Sequence, residues 1–305
     1  MSFSLIITCI QIGLCFGIMA MGIHISFRIL GVPDLTIDGA FTLGAAVSAF
    51  LCLNNLPILG LILGVLAGAI AGIITGLLHT KLKIQAVLAG ILTMTALYSI
   101  NFWVTKRRPS IGLYQNKTIF SILDNLKSVS ILSSNLKEIL TLVIILAFSM
   151  IIVFALDRFF KTNLGLAVRA TGDNEAMVKA SSINTDNMKI IAFALSNALV
   201  ALAGGLYVQL QRNYDNSYGN GMMVIGVASI IIGEAIFRKR KLGYAFLISI
   251  FGAIIYEFIF MLALLIDSVD PIDIKIITAL IIILSVCIPM LYKKIKKGSV
   301  KHAWN

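Results

Sequence analysis

The chain is a succession of long apolar stretches joined by short polar segments. A helix needs about 20 consecutive, mostly apolar residues to cross the hydrocarbon core of a bilayer. The stretches that approach or reach this length are residues 4–27, 39–53, 57–78, 84–104, 138–156, 189–210, 220–237, 244–266 and 273–292. Hydrophobic residues make up 59% of the 305 residues and charged residues 13%, which is typical of membrane proteins and not of soluble domains. The sequence therefore predicts an all-α polytopic membrane protein with about eight to ten transmembrane helices.

The basic residues are concentrated at the ends of these stretches. A net charge of +11 in a soluble domain would suggest nucleic-acid binding, but no nucleic-acid-binding motif accompanies it, so we predict no such partner. Cytoplasmic loops of membrane proteins are enriched in Lys and Arg. The basic tail 293–305 is therefore expected in the cytoplasm, and counting spans back from it places residues 157–188 on the same side. Residues 106–137 are then outside, in mild conflict with their basic character.

One polar segment, residues 157–188, interrupts the middle of this apolar chain. We predict a short amphipathic helix within it. Asp173 is expected to be the N-cap, and Glu175 lies in the first turn, where a negative charge suits the helix dipole. Asn184 is expected to end this helix, because Asn tolerates the left-handed conformation found at helix ends.

Two turns of helix are not stable alone in water, so this short helix needs a partner. Its apolar side is expected to consist of Ala176, Met177, Ala180 and Ile183. The helix either packs on its own protein as an ordinary loop helix or docks on another subunit, and the residues alone leave both interpretations open. A cap at Thr185 or Asp186 is expected to begin the following span.

Residues 28–53 form the least regular of the apolar stretches. Pro33 cannot continue a helix, and the residue before a proline leaves helical geometry. Asp34, Thr36 and Asp38 follow it closely. Irregular backbone at membrane depth is tolerated only where protein or a water-filled cavity satisfies it, and transporters place binding or gating elements there. We therefore predict a discontinuous second span beside the translocation path. The alternative is an interfacial loop in which Thr36 or Asp38 only caps the next helix.

Glycine recurs every fourth residue along the third apolar stretch, as overlapping GxxxG units. Small residues at this spacing form a groove that lets another helix approach closely. We therefore predict helix packing, with a glycine-lined wall of the substrate path as the alternative. The glycines are Gly60, Gly64, Gly68, Gly72 and Gly76.

Ionisable side chains inside a membrane are costly and often mark functional sites. Glu257 lies near the middle of its span, where it either faces the path or is an internally hydrogen-bonded structural acid. Glu234 lies four residues before Arg238, so an ion pair along one helix is expected. The four cysteines have no metal-ligand spacing, and no metal site is predicted.

Two runs of the sequence are similar to parts of one family of transport proteins. The run VRATGDNEAMVKASSINTDNMKIIAFALSNALVALAGGLY, residues 168–207, resembles the cytoplasmic-loop signature of the branched-chain amino acid and ribose type of ABC-importer permease. The run PDLTIDGAFTLGAAV, residues 33–47, is similar to the tryptophan and tyrosine subgroup. Members often have Gly just before the Ile-Asn pair, where this chain has Ser181 and Ser182, so the end of the short helix is expected to be built differently.

The resemblance implies a function and a set of partners. Residues 1–305 would form a single transmembrane permease domain of the cell membrane, which takes up a small solute by alternating access. An amino acid is expected, aromatic if the subgroup match holds, with a sugar or nucleoside as the alternative. The implied partners are a second copy in a homodimer, ATPase subunits that carry ATP and Mg, and an extracellular substrate-binding lipoprotein. The chain itself would hold no cofactor and would not be an enzyme, because it would form the translocation pathway and a partner subunit would hydrolyse ATP. It has no GxxxxGK[ST] motif, so it does not bind ATP through a P-loop.

In that family the polar loop carries a coupling helix that docks on the ATPase. The residues expected to serve ATPase coupling are Arg169, Gly172, Asp173, Asn174, Glu175, Met177, Ala180 and Asn184. The residues expected at the path or its gate are Pro33, Asp34, Thr36, Asp38 and Glu257. The rival from another class is an ion-coupled secondary transporter with Glu257 or Asp38 as its proton or sodium site, which would need no ATPase.

Overall fold

The computed structural model describes residues 3–121, 134–237 and 242–264, together with the single positions 276, 279, 280 and 283. Within these ranges the α-helices are α1 (Phe3–Ile23), α2 (Thr36–Leu53), α3 (Pro57–Thr80), α4 (Ala86–Val104), α5 (Ser134–Phe159), α6 (Asn163–Asp173), α7 (Glu175–Ala180), α8 (Thr185–Gln211), α9 (Met222–Ile236) and α10 (Leu242–Leu264). A π-helix, His24–Ile29, extends α1, and a 3₁₀ turn covers Ile119–Ser121. Two short strands, β1 (Ser110–Gly112) and β2 (Asn213–Asp215), complete the described elements.

The all-α, polytopic architecture predicted from the sequence is confirmed. In the described part of the chain, seven helices are long and apolar enough to cross a membrane, and α9, with 15 residues, is a shorter apolar helix. The predicted span 273–292 lies outside the described residues except for the four single positions. The basic tail 293–305 and the basic residues 238–241 also lie outside them.

Contacts between the connecting segments define two faces of the bundle. On the face that carries residues 157–188, here called the loop face, the Lys81 ammonium group after α3 lies 3.3 Å from the Asp186 carboxylate in α8. The helix α8 runs from this face to the other one, here called the ribbon face, where β2 follows it. There β1 and β2 pair antiparallel, with Ile111 opposite Tyr214. Both of these side chains are buried, so the ribbon is packed onto the bundle.

The helix α8 is the centre of the bundle and packs against α1, α2 and α3. Glycines allow these close approaches, as the backbone distances show. A Cβ atom at Gly44 would lie 2.0 Å from the carbonyl oxygen of Ala201, and one at Gly72 would lie 2.3 Å from the carbonyl oxygen of Phe193. The glycines of α3 that face α2 or α8 in this way are Gly60, Gly64, Gly68, Gly72 and Gly76.

Two helices begin at irregular segments within the bundle. Residues 30–35 are not helical, so the path from the π-helix to α2 is interrupted, as the sequence predicts. The second irregular segment joins β2 to α9 and includes Gly221, whose φ is +88°. A Cβ atom at Gly219 would lie 2.0 Å from the carbonyl oxygen of Asp38. The second irregular segment therefore touches the first turn of α2, and α2 and α9 start from one shared junction.

Candidate functional site

The polar segment on the loop face folds into two helices, α6 and α7. The Thr162 hydroxyl oxygen accepts a hydrogen bond from the Gly165 amide at 3.2 Å and so caps α6. The Asn174 side-chain oxygen accepts from the Met177 amide at 3.1 Å and caps α7. The predicted N-cap Asp173 is wrong, because it is the last residue of α6. Either side chain suits a cap, and the extent of α6 determines which one is used.

The end of α7 also differs from the prediction. The helix stops at Ala180, and Ser182 follows in the left-handed conformation with φ 61°. Asn184 does not end this helix. Its side-chain oxygen accepts from the Asn187 amide at 3.2 Å and caps α8, a role predicted for Thr185 or Asp186. A left-handed serine thus makes the turn at the place where the family often has glycine.

Glu175 joins α7 to the start of α8. One carboxylate oxygen lies 2.8 Å from the Lys179 ammonium group on the same helix. The other lies 2.8 Å from the Lys189 ammonium group, which is largely buried, and the Thr185 hydroxyl group donates to the carboxylate at 3.3 Å. Hydrogen bonds from Lys179 and Lys189 lower the pKa of Glu175 from 4.5 to about 2. The carboxylate is therefore charged at physiological pH and fixes the angle between the two helices.

One side of α7 is apolar and exposed. Met177 and Ile183 are exposed large hydrophobic side chains, with 57% and 38% of their surface accessible. Ala176 and Ala180 are exposed beside them, whereas Val178 is buried and anchors α7 to the rest of the protein. The predicted apolar side is thus assembled, but it faces away from the chain.

The loop helices also contact the interrupted span. A Cβ atom at Gly172 in α6 would lie 1.9 Å from the carbonyl oxygen of Ile29, the last residue of the π-helix. No side chain fits between these two backbones, so α6 bears directly on the helix that leads into the break. Arg169, on the same helix, lines a cavity of about 760 Å³ together with Asp157 and Tyr244.

The break in the second span is built around Asp34, which is completely buried. One carboxylate oxygen accepts from the Thr36 backbone amide at 2.9 Å, and the other accepts from the Asn197 side-chain amide at 2.7 Å. Asn197 is on α8, about 18 Å along the helix axis from its first residue. The irregular residues after Pro33 are therefore held deep inside the bundle, which favours a discontinuous span over an interfacial loop.

A line of threonine hydroxyl groups continues from the break into α3 and α4. The Thr36 and Thr75 hydroxyl oxygens are 2.7 Å apart, and the Thr75 hydroxyl group donates to Thr93 at 2.9 Å. All three side chains are buried. Thr36 is predicted from the sequence, whereas Thr75, Thr93 and Asn197 are not, because isolated polar residues in apolar helices carry no pattern that relates them to one another.

Asp38 caps the other irregular helix start. Its two carboxylate oxygens accept from the backbone amides of Gly221 at 3.0 Å and Met223 at 2.8 Å, at the start of α9. Asp34 and Asp38 thus accept hydrogen bonds from backbone amides at the starts of two different helices. The positive ends of both helices thus bear carboxylates of the chain itself.

Glu257 lies in a different part of the bundle. It is on α10, which packs against α1 and α9, and only 8% of its surface is accessible. The break is instead contacted by α4, through Gly90, and by α8. Glu234, for which an ion pair with Arg238 is expected, forms an ion pair with Arg28 at the end of the π-helix, and Arg238 lies outside the described residues.

Comparison with known proteins identifies the family. The profile described as the permease component of the branched-chain amino acid transport system matches residues 5–288, almost the whole chain. The chain belongs to this family of transport permeases. Membership makes it a permease of an ABC-type import system and a multi-pass membrane protein, in agreement with its seven long apolar helices in the described residues.

Several permeases of known name are similar to the chain over most of its length. The tyrosine transport system permease protein of Clostridioides difficile is 36% identical over 97% of this chain and 95% of its own length. The ribose import permease protein of Haemophilus influenzae is 28% identical over 71% of this chain and 64% of its own. No solved structure matches the chain significantly.

Proposed function

We propose that the chain is the membrane-spanning permease of an ATP-driven importer. Two copies would form a homodimer around a central path, since an isologous interface needs only one surface patch on each copy. Separate ATPase subunits, which bind ATP and Mg, would dock on the loop face in the cytoplasm. An extracellular binding protein would deliver the solute to the ribbon face. Residues 1–305 would act as one permease domain, with the tail 293–305 in the cytoplasm.

The exposed apolar side of α7 is the observation that carries this proposal. A helix of six residues is too short to be stable by itself, and here it is fixed in place by Glu175 and Val178. Its Met177 side then remains available for a groove on a partner, as amphipathic helices commonly dock. An ordinary loop helix would turn this side toward its own protein.

The contacts of α6 provide a route from the ATPase to the path. Movement of the docked ATPases would shift α6 and α7, and Gly172 would carry that shift to the carbonyl group of Ile29. The π-helix leads into the break at Asp34, and the break adjoins the start of α9 through Asp38. A rigid-body shift of the loop helices would therefore be felt at the junction where two spans begin, as alternating access requires.

The substrate we propose is an amino acid with an aromatic side chain. The similarity to a tyrosine transport permease over 97% of the chain supports this class. A sugar is the alternative substrate class, because a ribose import permease matches a smaller part of the chain at lower identity. An ion-coupled secondary transporter is the rival mechanism, and the buried carboxylic acid Glu257 favours it.

Co-purification tests the proposed docking helix. The chain is tagged in its native membrane and solubilised gently, and the proteins that accompany it are quantified. We expect a P-loop ATPase in one-to-one ratio with the wild-type chain. Met177→Glu places a charge on the apolar side of α7 and should reduce the recovered ATPase at least tenfold.

Leu82→Glu is the matched control for this experiment. Leu82 is 66% exposed and lies between α3 and α4, on the loop face, so its replacement also adds a charge to an exposed apolar site. It should leave the ATPase recovery unchanged. Equal loss of ATPase in both variants, or a wild-type chain that purifies alone, would overturn the proposal.

A further inference from the structure

A strongly basic turn follows α4 on the ribbon face. It consists of Lys106, Arg107 and Arg108, and all three side chains are exposed. Lys106 and Arg107 are both in the left-handed conformation, with φ angles of 53° and 62°. Two consecutive residues other than glycine rarely adopt this conformation, which is strained and persists only where the surroundings enforce it.

Short hydrogen bonds enforce this shape. The Arg107 amide donates to the carbonyl group of Phe102 at 2.6 Å, and the Thr105 hydroxyl group donates to the carbonyl group of Arg108 at 2.9 Å. The residue after the turn is also fixed, since the Asn216 amide donates to the carbonyl group of Pro109 at 2.9 Å. The basic turn is therefore held rigidly against the segment that leads from β2 to α9.

The charges of the basic turn are not neutralised within the described part of the chain. No carboxylate of the described residues lies within 4.0 Å of the charged groups of Lys106, Arg107 or Arg108, although five ion pairs are formed elsewhere in it. The Lys106 ammonium group instead lies 5.3 Å from the centre of the Phe50 ring. Within the described residues, the basic turn thus carries three exposed positive charges that no carboxylate pairs with.

The location of this charge is unusual for a membrane protein. If the loop face is cytoplasmic, the basic turn is extracellular, where Lys and Arg are depleted near the ends of spans. Solvation alone does not call for a strained turn that displays three basic side chains. A complementary negative surface would account for both the charge and the strain, because rigid display lowers the ordering required on binding.

We propose that the basic turn is a docking surface for an acidic patch of the extracellular binding protein. This inference rests on the proposed function, which supplies the orientation and the partner. Asn216 and the β1–β2 ribbon join the turn to the segment between β2 and α9. Gly219 in this segment touches Asp38. A binding protein seated on the basic turn would therefore contact the same unit that begins α9.

A photo-crosslinking experiment in whole cells identifies the partner. Tyr114 is 72% exposed and follows β1, so p-benzoylphenylalanine at this position keeps an aromatic ring of similar shape beside the basic turn. The binding protein identified by this crosslink is then purified, and its association with the wild-type complex in lipid nanodiscs is measured at low and high salt. Steering by exposed charges acts mainly on the association rate and weakens as salt screens it.

Charge reversal in the pair Arg107→Glu and Arg108→Glu should slow association at least tenfold at low salt and remove most of the salt dependence. Lys83→Glu is the matched control, because Lys83 is an exposed lysine with a left-handed φ of 56° on the loop face. It should associate like the wild type. Unchanged association of the double variant, or equal slowing in the control, would overturn the inference.

Two further measurements distinguish failure of the docking surface from failure of the proposed importer function. Recovery of the ATPase with the double variant should equal that of the wild type, and normal recovery with normal association would refute the docking surface alone. Loss of ATPase from the wild-type chain would refute the proposed function instead. If the basic turn captures no protein and its charges matter only in nanodiscs that contain phosphatidylglycerol, it binds lipid headgroups and the inference is wrong.

Discussion

Glu175 shows how one side chain fixes the geometry of the loop face. Its carboxylate group contacts Lys179 on its own helix and both Lys189 and Thr185 on α8. An exposed ion pair contributes little by itself, but a carboxylate that links two helices determines their relative orientation. Glu175 therefore positions α7 on α8 and contributes little to the stability of the whole protein.

Replacement of Glu175 by Gln should uncouple ATP hydrolysis from uptake without unfolding the protein. Gln cannot form both charged contacts, so α7 is free to tilt on α8. We expect the thermal unfolding temperature to change by at most a few degrees, while the number of solute molecules moved for each ATP hydrolysed falls severalfold. Asp186→Asn is the control, because it removes the exposed ion pair with Lys81 and leaves the direct contacts of Glu175 in place. A similar loss of coupling in the control would contradict this role.

The lowered pKa of Glu175 gives this contact a definite pH dependence. The pKa is 4.5 in the absence of its partners and about 2 in the folded protein. The contribution is therefore fully present above about pH 4.5 and is lost as the pH falls from 4.5 toward 2. Protease cleavage of the segment around α7, compared between wild type and Glu175→Gln, should differ by a constant factor above pH 5. The difference should shrink below pH 4.5, and a change centred near neutral pH would contradict the assignment.

Asp38 has a comparable role between two spans. Replacing it by Asn leaves one acceptor oxygen for the two amides of Gly221 and Met223 and turns an NH₂ group toward a donor. Hydrogen bonds to a charged group contribute about 1.5–3 kcal/mol, so Asp38→Asn should lower the free energy of unfolding by roughly that amount. Thermal unfolding in detergent measures this loss. Asp215→Asn, at a turn where, among the described residues, the carboxylate accepts only from the amide and hydroxyl groups of the nearby Ser217, should have little effect, and equal effects would contradict the proposed link.

At the scale of single elements, α3 owes its place to its glycines. The backbone of α8 approaches within the space that a side chain would need at Gly68 and Gly72, whereas Gly64 faces α2 at a more ordinary distance. The helix is therefore not equally sensitive along its length. This difference arises from the crossing geometry, and the regular four-residue spacing in the sequence does not reveal it.

The two substitutions Gly72→Ala and Gly64→Ala test this difference within one helix. A Cβ atom at position 72 would lie 2.3 Å from a carbonyl oxygen, whereas at position 64 the nearest atom is 3.3 Å away. Forcing extra atoms into packed contacts costs about 1–3 kcal/mol. We expect Gly72→Ala to lower the thermal unfolding temperature markedly and Gly64→Ala to behave nearly like wild type. Equal sensitivity of the two positions would contradict the observed packing.

The sequence predicted the elements of this protein better than their ends and partners. Apolar length identified the long spans, because a membrane requires that length, and Pro33 identified the break. The caps of α7 and α8 were misassigned because several neighbouring residues are suitable caps. The helix α6 extends through Asp173, and Gly172 near its end contacts the π-helix at Ile29. The sequence around Gly172 does not predict this contact.

Partners distant in the chain were the part of the site that sequence reasoning missed. Arg28 and Glu234 are 206 residues apart, and Asp34 and Asn197 are 163 apart. Each of these residues is isolated in its own part of the chain, so no spacing rule relates them. Asp34 and Thr36 were found because they accompany a proline, whereas Thr75 and Thr93 look like ordinary residues of apolar helices.

Across the whole molecule, the two faces are connected through one junction. The loop helices bear on the π-helix at Ile29, and the ribbon on the opposite face leads to Gly219 beside Asp38. Between them lie the breaks at which α2 and α9 begin. The proposed importer would use this connection in both directions, with the binding protein acting on one face and the ATPase on the other.

Uptake by reconstituted vesicles distinguishes an ATP-driven importer from an ion-coupled transporter. The complex is purified through this chain, placed in vesicles with ATP inside, and supplied outside with the binding protein and labelled tyrosine or ribose. We expect uptake of tyrosine that requires hydrolysable ATP and persists when ion gradients are abolished. Uptake by the chain alone, driven by a proton or sodium gradient without ATP and lost in Glu257→Gln, would contradict the account and establish a secondary transporter.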